Sequence, residues 1–461
     1  MESRVSRFLA DSDKKSFDRK HRATLKFNIS RYNTSVVKGL KQFKNLHHAT
    51  TKAALIKHKV LENLDSYLLN FEKNFKNNGG KVIWASDSND VLTAVGKIFE
   101  SNNVKLVVKS KSMTTEEVAV VPYLEANGIE ALETDLGEYI VQISGDKPYH
   151  IVTPVMHRSA KEIAEIYNDK FGLSTDSSPE EITAFTRAEL RKKFLKADAC
   201  ITGANFLISE TGSVVLTENE GNGVMSMSWA PIHIVIAGIE KIIPSIEELN
   251  LFLPLLASHG TGQKLTAYNS IVSGPRGDLN SGNTSAKMYV ILLDNGRSNL
   301  LKQIPQRRAL SCIRCGACLN GCPIYKNIGG HTYGAVYSGP IGAVITPHLN
   351  NFKEYKHLSY ASSLCGKCTE VCPVRINLHK LLLHNRNYAV KNRYVSRLEK
   401  LSIFAWKKAM TNRKLIDKSP QGLKKLFFSE IIRKAWGKRR KPPIMESLSF
   451  AALWKNHSKT L

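Results

Sequence analysis

The spacing of apolar and polar side chains divides the chain into four textures. Residues 1–60 set apolar positions at helical intervals among lysines and arginines, which predicts a basic helical arm ending in a helix over residues 53–71. The turn-forming cluster Asn77-Asn78-Gly79-Gly80 closes it. Short apolar runs follow at residues 82–85, 104–108, 140–143, 199–202, 214–216, 233–237 and 290–293, alternating with helical patterns such as residues 90–99 and 159–167. Strands alternating with helices predict an α/β domain with a largely parallel sheet over residues 61–300. Beyond Leu300 the strand patterns stop, and cysteine, glycine and proline concentrate between Cys312 and Pro373, marking a separate small domain over residues 301–390. Helical Leu/Trp/Lys periodicity runs from Leu378 to Gly437, and Pro442-Pro443 opens a final stretch without a core of its own. Residues 391–461 thus read as a basic helical tail.

Length and composition fit this division. A chain of 461 residues, 42% of them apolar, exceeds what one core organises, so two or three domains are expected. No run approaches the ~20 apolar residues of a membrane-spanning helix; the best, residues 232–238, contains His233 and is followed by Glu240. The opening MESRVSRFLADSDKK lacks the apolar core and cleavage site of a secretory signal, so the expected address is the cytoplasm.

The net charge of +26 is concentrated at the two ends. Residues 1–60 carry fifteen Lys/Arg against four Asp/Glu and residues 380–461 carry twenty-one against four, which leaves the middle near −2. Such flanks act as solvated surface or dock an acidic partner. Trp406, Phe427, Phe428 and Trp436 among the tail's basic residues also suit peripheral contact with an anionic membrane. Nucleic acid is not expected, because zinc-finger spacing, RNA-recognition signatures and stacking aromatics on strands are absent.

Seven of the eight cysteines fall in two runs, Cys312-x2-Cys315-x2-Cys318-x3-Cys322-Pro323 and Cys365-x2-Cys368-x3-Cys372-Pro373. This spacing is too tight for a disulfide framework. Cysteines at x2 intervals on a tight loop aim three thiolates at the corners of one iron–sulfur cluster, while the displaced cysteine before proline serves a second. One cluster then takes Cys312, Cys315 and Cys318 with Cys372, and the other takes Cys365 and Cys368 with Cys322. The second run is one ligand short, because Ser362 stands where the full pattern has cysteine. A three-iron cluster satisfies that site, as does a four-iron cluster completed by water, Ser362, His357 or a partner. Structural zinc competes for such thiolates, but it uses two separated x2 pairs and has no role for the third x2 cysteine or the Cys-Pro endings. Between the runs, Gly329-Gly330-His331-Thr332-Tyr333-Gly334 and Gly339-Pro340-Ile341-Gly342-Ala343-Val344 serve either as turn-rich connector or as backbone N–H donors to cluster sulfur.

The α/β region offers weaker signals. Asn205, Glu210, Thr211 and Glu220 lie in glycine-rich turns after strand patterns, where open sheets bind ligands, although such glycines also serve plain turns. Gly221-Asn222-Gly223-Val224-Met225-Ser226 imitates a dinucleotide fingerprint but ends in serine with no clear helical pattern after it. No GxxxxGK[ST] occurs, Cys200 reads as a buried inert thiol, and no catalytic residues are assigned because no nucleophile–base–orienter set is visible.

The segments Val108-Lys109-Ser110-Lys111-Ser112-Met113, Glu116-Glu117, Glu133-Thr134-Asp135-Leu136-Gly137-Glu138-Tyr139, residues 201–223, Gly238-Ile239-Glu240-Lys241, Leu293-Asp294-Asn295-Gly296-Arg297 and both cysteine runs resemble the lactate utilization protein B family. The resemblance covers about residues 55–390; the basic arm and tail match less closely. It implies an α/β LUD domain followed by an α-helical ferredoxin-like domain with two [4Fe-4S] clusters; for the second, a [3Fe-4S] cluster or a non-cysteine fourth ligand stays open. It also implies seven cysteine ligands, so that Ser362 is no departure. The function implied is electron transfer in L-lactate oxidation to pyruvate, with two companion proteins, one a second cysteine-rich iron–sulfur protein. A competing expectation makes the α/β domain itself a hydroxy-acid oxidoreductase. A third makes the chain a basic interaction protein whose clusters are structural.

Overall fold

The computed structural model describes residues 3–277, 286–412 and 448–458. Two compact units make up the chain, Met1–Tyr388 and Ala389–Leu461.

The first unit opens with α1 (Arg4–Phe17), α2 (Arg19–Gly39), α3 (Leu46–Glu62) and α4 (Leu64–Asn77). Ser3, Asp18 and Asn45 start the first three by accepting N–H bonds from the first turn. The single helix expected over residues 53–71 is divided between α3 and α4 at Asn63, whose φ of −130° leaves the helical region and whose side chain donates to the Lys59 carbonyl. The basic segment is packed rather than free. Leu25 and Ile29 of α2 are buried, and Asn28 donates to the Met156 carbonyl at 2.9 Å.

Among the described residues ten strands follow: β1 (Lys81–Ala85), β2 (Leu106–Lys109), β3 (Glu130–Glu133), β4 (Ala199–Thr202), β5 (Phe206–Ile208), β6 (Ser213–Glu218), β7 (Ile232–Gly238), β8 (Ile242–Ile243), β9 (Tyr268–Val272) and β10 (Lys287–Leu293). Six form an all-parallel sheet in the order β1-β10-β7-β4-β2-β3. The central strands read as continuous apolar runs because both faces are covered. In β7, Ile234 and Ile236 pack with Val91, Val95 and Phe99 of the helix Ser88–Glu100, while Val235 and Ala237 pack on the other face with Phe71 and Phe75 of α4. A smaller sheet, β8-β5-β6-β9, joins β5 and β9 antiparallel to β6 and β8 parallel to β5.

The runs at 82–85, 199–202, 214–216, 233–237 and 290–293 lie within strands, and the run at 104–108 overlaps β2. Residues 140–143, expected as a strand, belong to the helix Leu136–Ile143. Asp135 caps it by accepting the Glu138 N–H at 3.1 Å, and a run as short as Ile140, Val141 and Ile143 around Gln142 suits a buried helix as well as a strand.

After Leu293 no strand occurs among the described residues. Short helices and turns carry the cysteines, followed by Leu378–Lys391. The second unit contains the helices Arg397–Met410 and Phe450–His457, so the helical character expected of the tail is present there. Phe427, Phe428, Trp436 and Pro442-Pro443 lie outside the described residues. Among the described residues no helix is long and apolar enough to cross a membrane.

Candidate functional site

The two cysteine runs form compact loops. In the first, left-handed Arg314 (φ +62°) and Gly316 (φ +81°) wrap the backbone around Cys315, and the helix Ala317–Gly321 carries Cys318 and ends at Cys322. In the second, Leu364 (φ +56°) and Gly366 (φ +83°) flank Cys365, and the helix Lys367–Glu370 carries Cys368. Cys312, Cys315, Cys318 and Cys372 line one small apolar cavity walled by Ile151, Ile341, Val374 and Ile376. Cys322, Cys365 and Cys368 form a second set within mutual electrostatic range, and Cys372 lies within range of Cys368. None of the cysteines is disulfide-bonded.

The donor set fits iron–sulfur clusters. Backbone N–H groups are aimed at sulfur: Arg314 N–H at Cys312 Sγ (3.4 Å), Ile376 N–H at Cys372 Sγ (3.3 Å) and Ile341 N–H at Cys318 Sγ. Ile341 belongs to the first turn of the helix Gly339–Leu349, so this glycine-rich segment is helix rather than connector. Burial pushes the thiols up, Cys368 to about 11 and Cys372 to about 12, so metal binding must displace their protons. Gly330 permits a close approach, since a Cβ there would stand 1.9 Å from the Tyr149 carbonyl oxygen. His331 Nε2 meets the Lys147 carbonyl at 2.6 Å and Tyr333 is buried.

A buried ionic network joins the cysteine loop to the strand ends. Arg297, after β10, donates to Glu240 at 2.6 Å and, through both terminal nitrogens, to Glu117 at 2.9 and 2.8 Å. Arg314 reaches the other oxygen of Glu240 at 3.3 Å and stacks its guanidinium 4.4 Å from the Tyr337 ring centroid. Tyr337 Oη in turn donates to Glu117 at 2.5 Å. Burial works against the charge on Glu240, but Arg297 and Arg314 outweigh it and hold the carboxyl down at about 2.

Where strands β2, β4 and β7 end, a cavity of about 360 Å³ opens between the sheet and the cysteine loop. This is the crevice that parallel sheets offer to ligands. Lys111, Asn205, Glu220, Lys241, Arg314 and Cys315 are among its lining residues. Glu220 is raised to about 7 by burial and by the neighbouring Asp135. Lys241 is largely buried yet makes no hydrogen bond or ion pair among the described residues, and Arg314 Nη1 is buried without a partner.

The structure separates the four polar candidates of the glycine-rich turns. Asn205 and Glu220 face the cavity. Glu210 and Thr211 instead make the β5–β6 turn, where Asn74 and Asn78 of the α4 end bind their carbonyls at 2.8 and 2.9 Å. The segment after Gly221 does start a helix, Asn222–Trp229, contrary to expectation. Its first N–H groups are taken by Glu218, which accepts from Gly223 (2.7 Å) and Val224 (2.8 Å), so a carboxylate occupies the place a dinucleotide phosphate would need. Cys200 is buried in β4, and burial raises its thiol further. Lys111, Lys241, Glu117, Arg297 and Arg314 had no chemical role in the sequence reading. For Lys111, Lys241 and Arg297 the one local signal is a charge placed shortly after an apolar strand, as in Gly238-Ile239-Glu240-Lys241; Glu117 and Arg314 follow no strand directly.

A LUD domain model matches residues 68–293, and a 4Fe-4S dicluster domain model matches residues 308–376. A lactate utilization protein B from Bacillus cytotoxicus is 43% identical over 336 residues, covering 73% of this chain and 70% of that protein. The chain belongs to the lactate utilization protein B family. Family members from Shouchella clausii (41% over 374 residues, 81% of this chain and 78% of that protein) and Bacillus velezensis (42% over 378 residues, 82% and 79%) agree. A crystal structure of a DUF162 family protein from Deinococcus radiodurans aligns with 50% of this chain and 98% of that one at 15% identity and a TM-score of 0.28, a likeness too slight to argue from. The family assignment accounts for the order of domains seen here, a LUD domain followed by an iron–sulfur domain.

Proposed function

We propose that this protein is the iron–sulfur electron-transfer subunit of an L-lactate oxidation complex and carries two clusters of the [4Fe-4S] type. Cys312, Cys315, Cys318 and Cys372 hold the first; Cys322, Cys365 and Cys368 hold three corners of the second. The observation that carries this reading is the convergence of Cys372 with Cys312, Cys315 and Cys318 on one cavity, although some forty residues separate the two runs. When bound, the clusters supply one-electron steps. The chain keeps them adjacent, because Cys318 and Cys322 sit on one short helix and its cap, while Cys368 and Cys372 sit on another turn. Its backbone N–H groups and the cation of Arg314 stabilise negative charge at the first site. Electrons from lactate pass through the pair toward a quinone or another acceptor. Companion subunits, one a cysteine-rich iron–sulfur protein, complete the complex in the cytoplasm, and the basic tail provides peripheral contact with the membrane's inner face.

A second reading, in which the α/β domain itself receives the hydroxy acid, is favoured by one observation. The cavity at the strand ends reaches Cys315 and presents the unpartnered Lys241 ammonium and Arg314 Nη1, a fit for a small carboxylate. Anaerobic iron and sulfide analysis with paramagnetic resonance tests the cluster reading; colourless, zinc-loaded protein would end it. Mixing the holoprotein with L-lactate separates the two functions. Cluster reduction by the isolated chain supports the second reading, and reduction only after companion proteins are added supports the first.

A further inference from the structure

The two cysteine loops share one template. Each places a left-handed non-glycine residue, a cysteine and a left-handed glycine in succession, Arg314-Cys315-Gly316 and Leu364-Cys365-Gly366, and each then starts a short helix bearing the next cysteine. The φ angles agree within a few degrees, +62° and +81° against +56° and +83°. A left-handed arginine or leucine is sterically strained, so its presence at both equivalent positions marks a shared requirement. Three residues before Cys315 stands Cys312, and three before Cys365 stands Ser362.

The side chains at these positions also behave alike. Cys312 Sγ accepts the Arg314 N–H at 3.4 Å, and Ser362 Oγ accepts the Leu364 N–H at 3.1 Å. The same backbone group, two residues on, therefore aims Oγ in the second loop as it aims the ligand sulfur in the first. Behind Ser362 the backbone is clamped by Arg386, which donates to the carbonyls of Ser359 (3.0 Å) and Ser362 (3.2 Å) and adds a positive charge nearby. The competing donor His357 is held elsewhere: its Nδ1 meets the Glu354 carbonyl at 3.0 Å and its ring packs 5.2 Å from that of Phe8.

We propose that Ser362 Oγ is the fourth ligand of the second cluster, giving that site one oxygen and three sulfur donors from the chain. The proposal rests on the assignment of Cys322, Cys365 and Cys368 to this cluster. Ligation replaces the serine O–H bond with an oxygen–iron bond; the proton passes to solvent, which reaches the loop at exposed Cys365, and no electron is transferred. The harder oxygen donor distinguishes one iron from the other three.

The test compares the anaerobically prepared full chain with Ser362→Ala, Ser362→Cys and Cys365→Ala, measuring iron, sulfide, paramagnetic resonance and reduction potentials. An unchanged first-cluster signal reports an intact fold. Ser362→Ala should lose iron from the second cluster alone and show a three-iron signal when oxidised. Ser362→Cys should keep its iron and shift the potential of that cluster only. Wild-type iron, spectra and potentials in Ser362→Ala, with cluster loss in Cys365→Ala, would overturn the serine ligand and leave the cluster reading standing. Both clusters intact in Cys365→Ala would overturn the cysteine assignment, and the serine ligand with it. Should Ser362→Ala fail to fold, Ser362→Cys decides: a shifted potential supports the proposal and an unchanged one refutes it.

Discussion

Arg297→Leu removes the one cation that separates two buried carboxylates, and its cost follows from the contacts. Arg297 is fully buried and donates to Glu240 at 2.6 Å, to both oxygens of Glu117 at 2.9 and 2.8 Å, and to the Asp294 carbonyl at 3.0 Å. Burial opposes charge on Glu117, but Arg297 outweighs it and holds the carboxyl below its ordinary value. Without the guanidinium, Glu117 keeps Tyr337 and Asn295 and Glu240 keeps Arg314. Hydrogen bonds then persist, but Glu117 loses its counter-charge and Glu240 keeps only the longer Arg314 contact at 3.3 Å. Breaking a buried pair from one side costs about 3–5 kcal/mol. For a unit spanning Met1–Tyr388, an unfolding entropy of about 2.1 cal/mol/K per residue turns 4 kcal/mol into a drop of roughly 5 °C. Anaerobic thermal unfolding read by far-ultraviolet circular dichroism and by cluster absorbance should show the same shift in both probes, because the network joins the strand ends to the cysteine loop. Glu117→Gln added to Arg297→Leu should recover about half of the loss, since it removes one orphaned charge. The deficit should shrink as pH falls from 7 toward 5, where the orphaned carboxyls of the variant take up protons. In the wild type the contribution of Glu240 is complete above its unfolded value of 4.5 and is lost as pH falls toward about 2. A loss below about 1 kcal/mol, or no recovery on adding Glu117→Gln, would refute the electrostatic reasoning.

Cys315→Ala should remove the first cluster and leave the second, roughly halving iron per chain; proportional loss of both resonance signals would contradict separate ligand sets. His233, buried in β7 with Nε2 2.8 Å from Thr202 Oγ1, is lowered by burial from 6.5 to about 4. Its neutral form therefore supports the fold fully above pH 6.5, and that support is lost as pH falls through about 4, to the extent of about 3 kcal/mol. Urea titrations of His233→Gln between pH 7 and 4 should show a flatter pH dependence than wild type, and parallel curves would disprove the role. Gly262→Ala sets a Cβ 2.2 Å from the Ser35 backbone carbon at a φ of +80°, so at least ~2 kcal/mol should be lost. Limited proteolysis should then cut within α2 sooner, and an unchanged cleavage pattern would rule out this packing contact.

The sequence by itself determined what depends on neighbours along the chain. Residues 233–237 and 290–293 announce buried strands because parallel strands covered on both faces are apolar almost throughout. The cysteine runs announce their chemistry because several donors to one cluster are adjacent in sequence. Residues 140–143 had no such local answer: an apolar run that short satisfies either period, and the Asp135 cap with its packed surroundings made it helix. Only the tertiary structure brought Lys241, Arg314 and Cys315 to one cavity, matched Arg297 with Glu117 and Glu240, and aimed the Leu364 N–H at Ser362 as the Arg314 N–H is aimed at Cys312. A charge after a strand reads the same on paper whether it is solvated or buried. Its energy depends on the distance to a partner far along the chain and on the water excluded between them, and folding alone sets both.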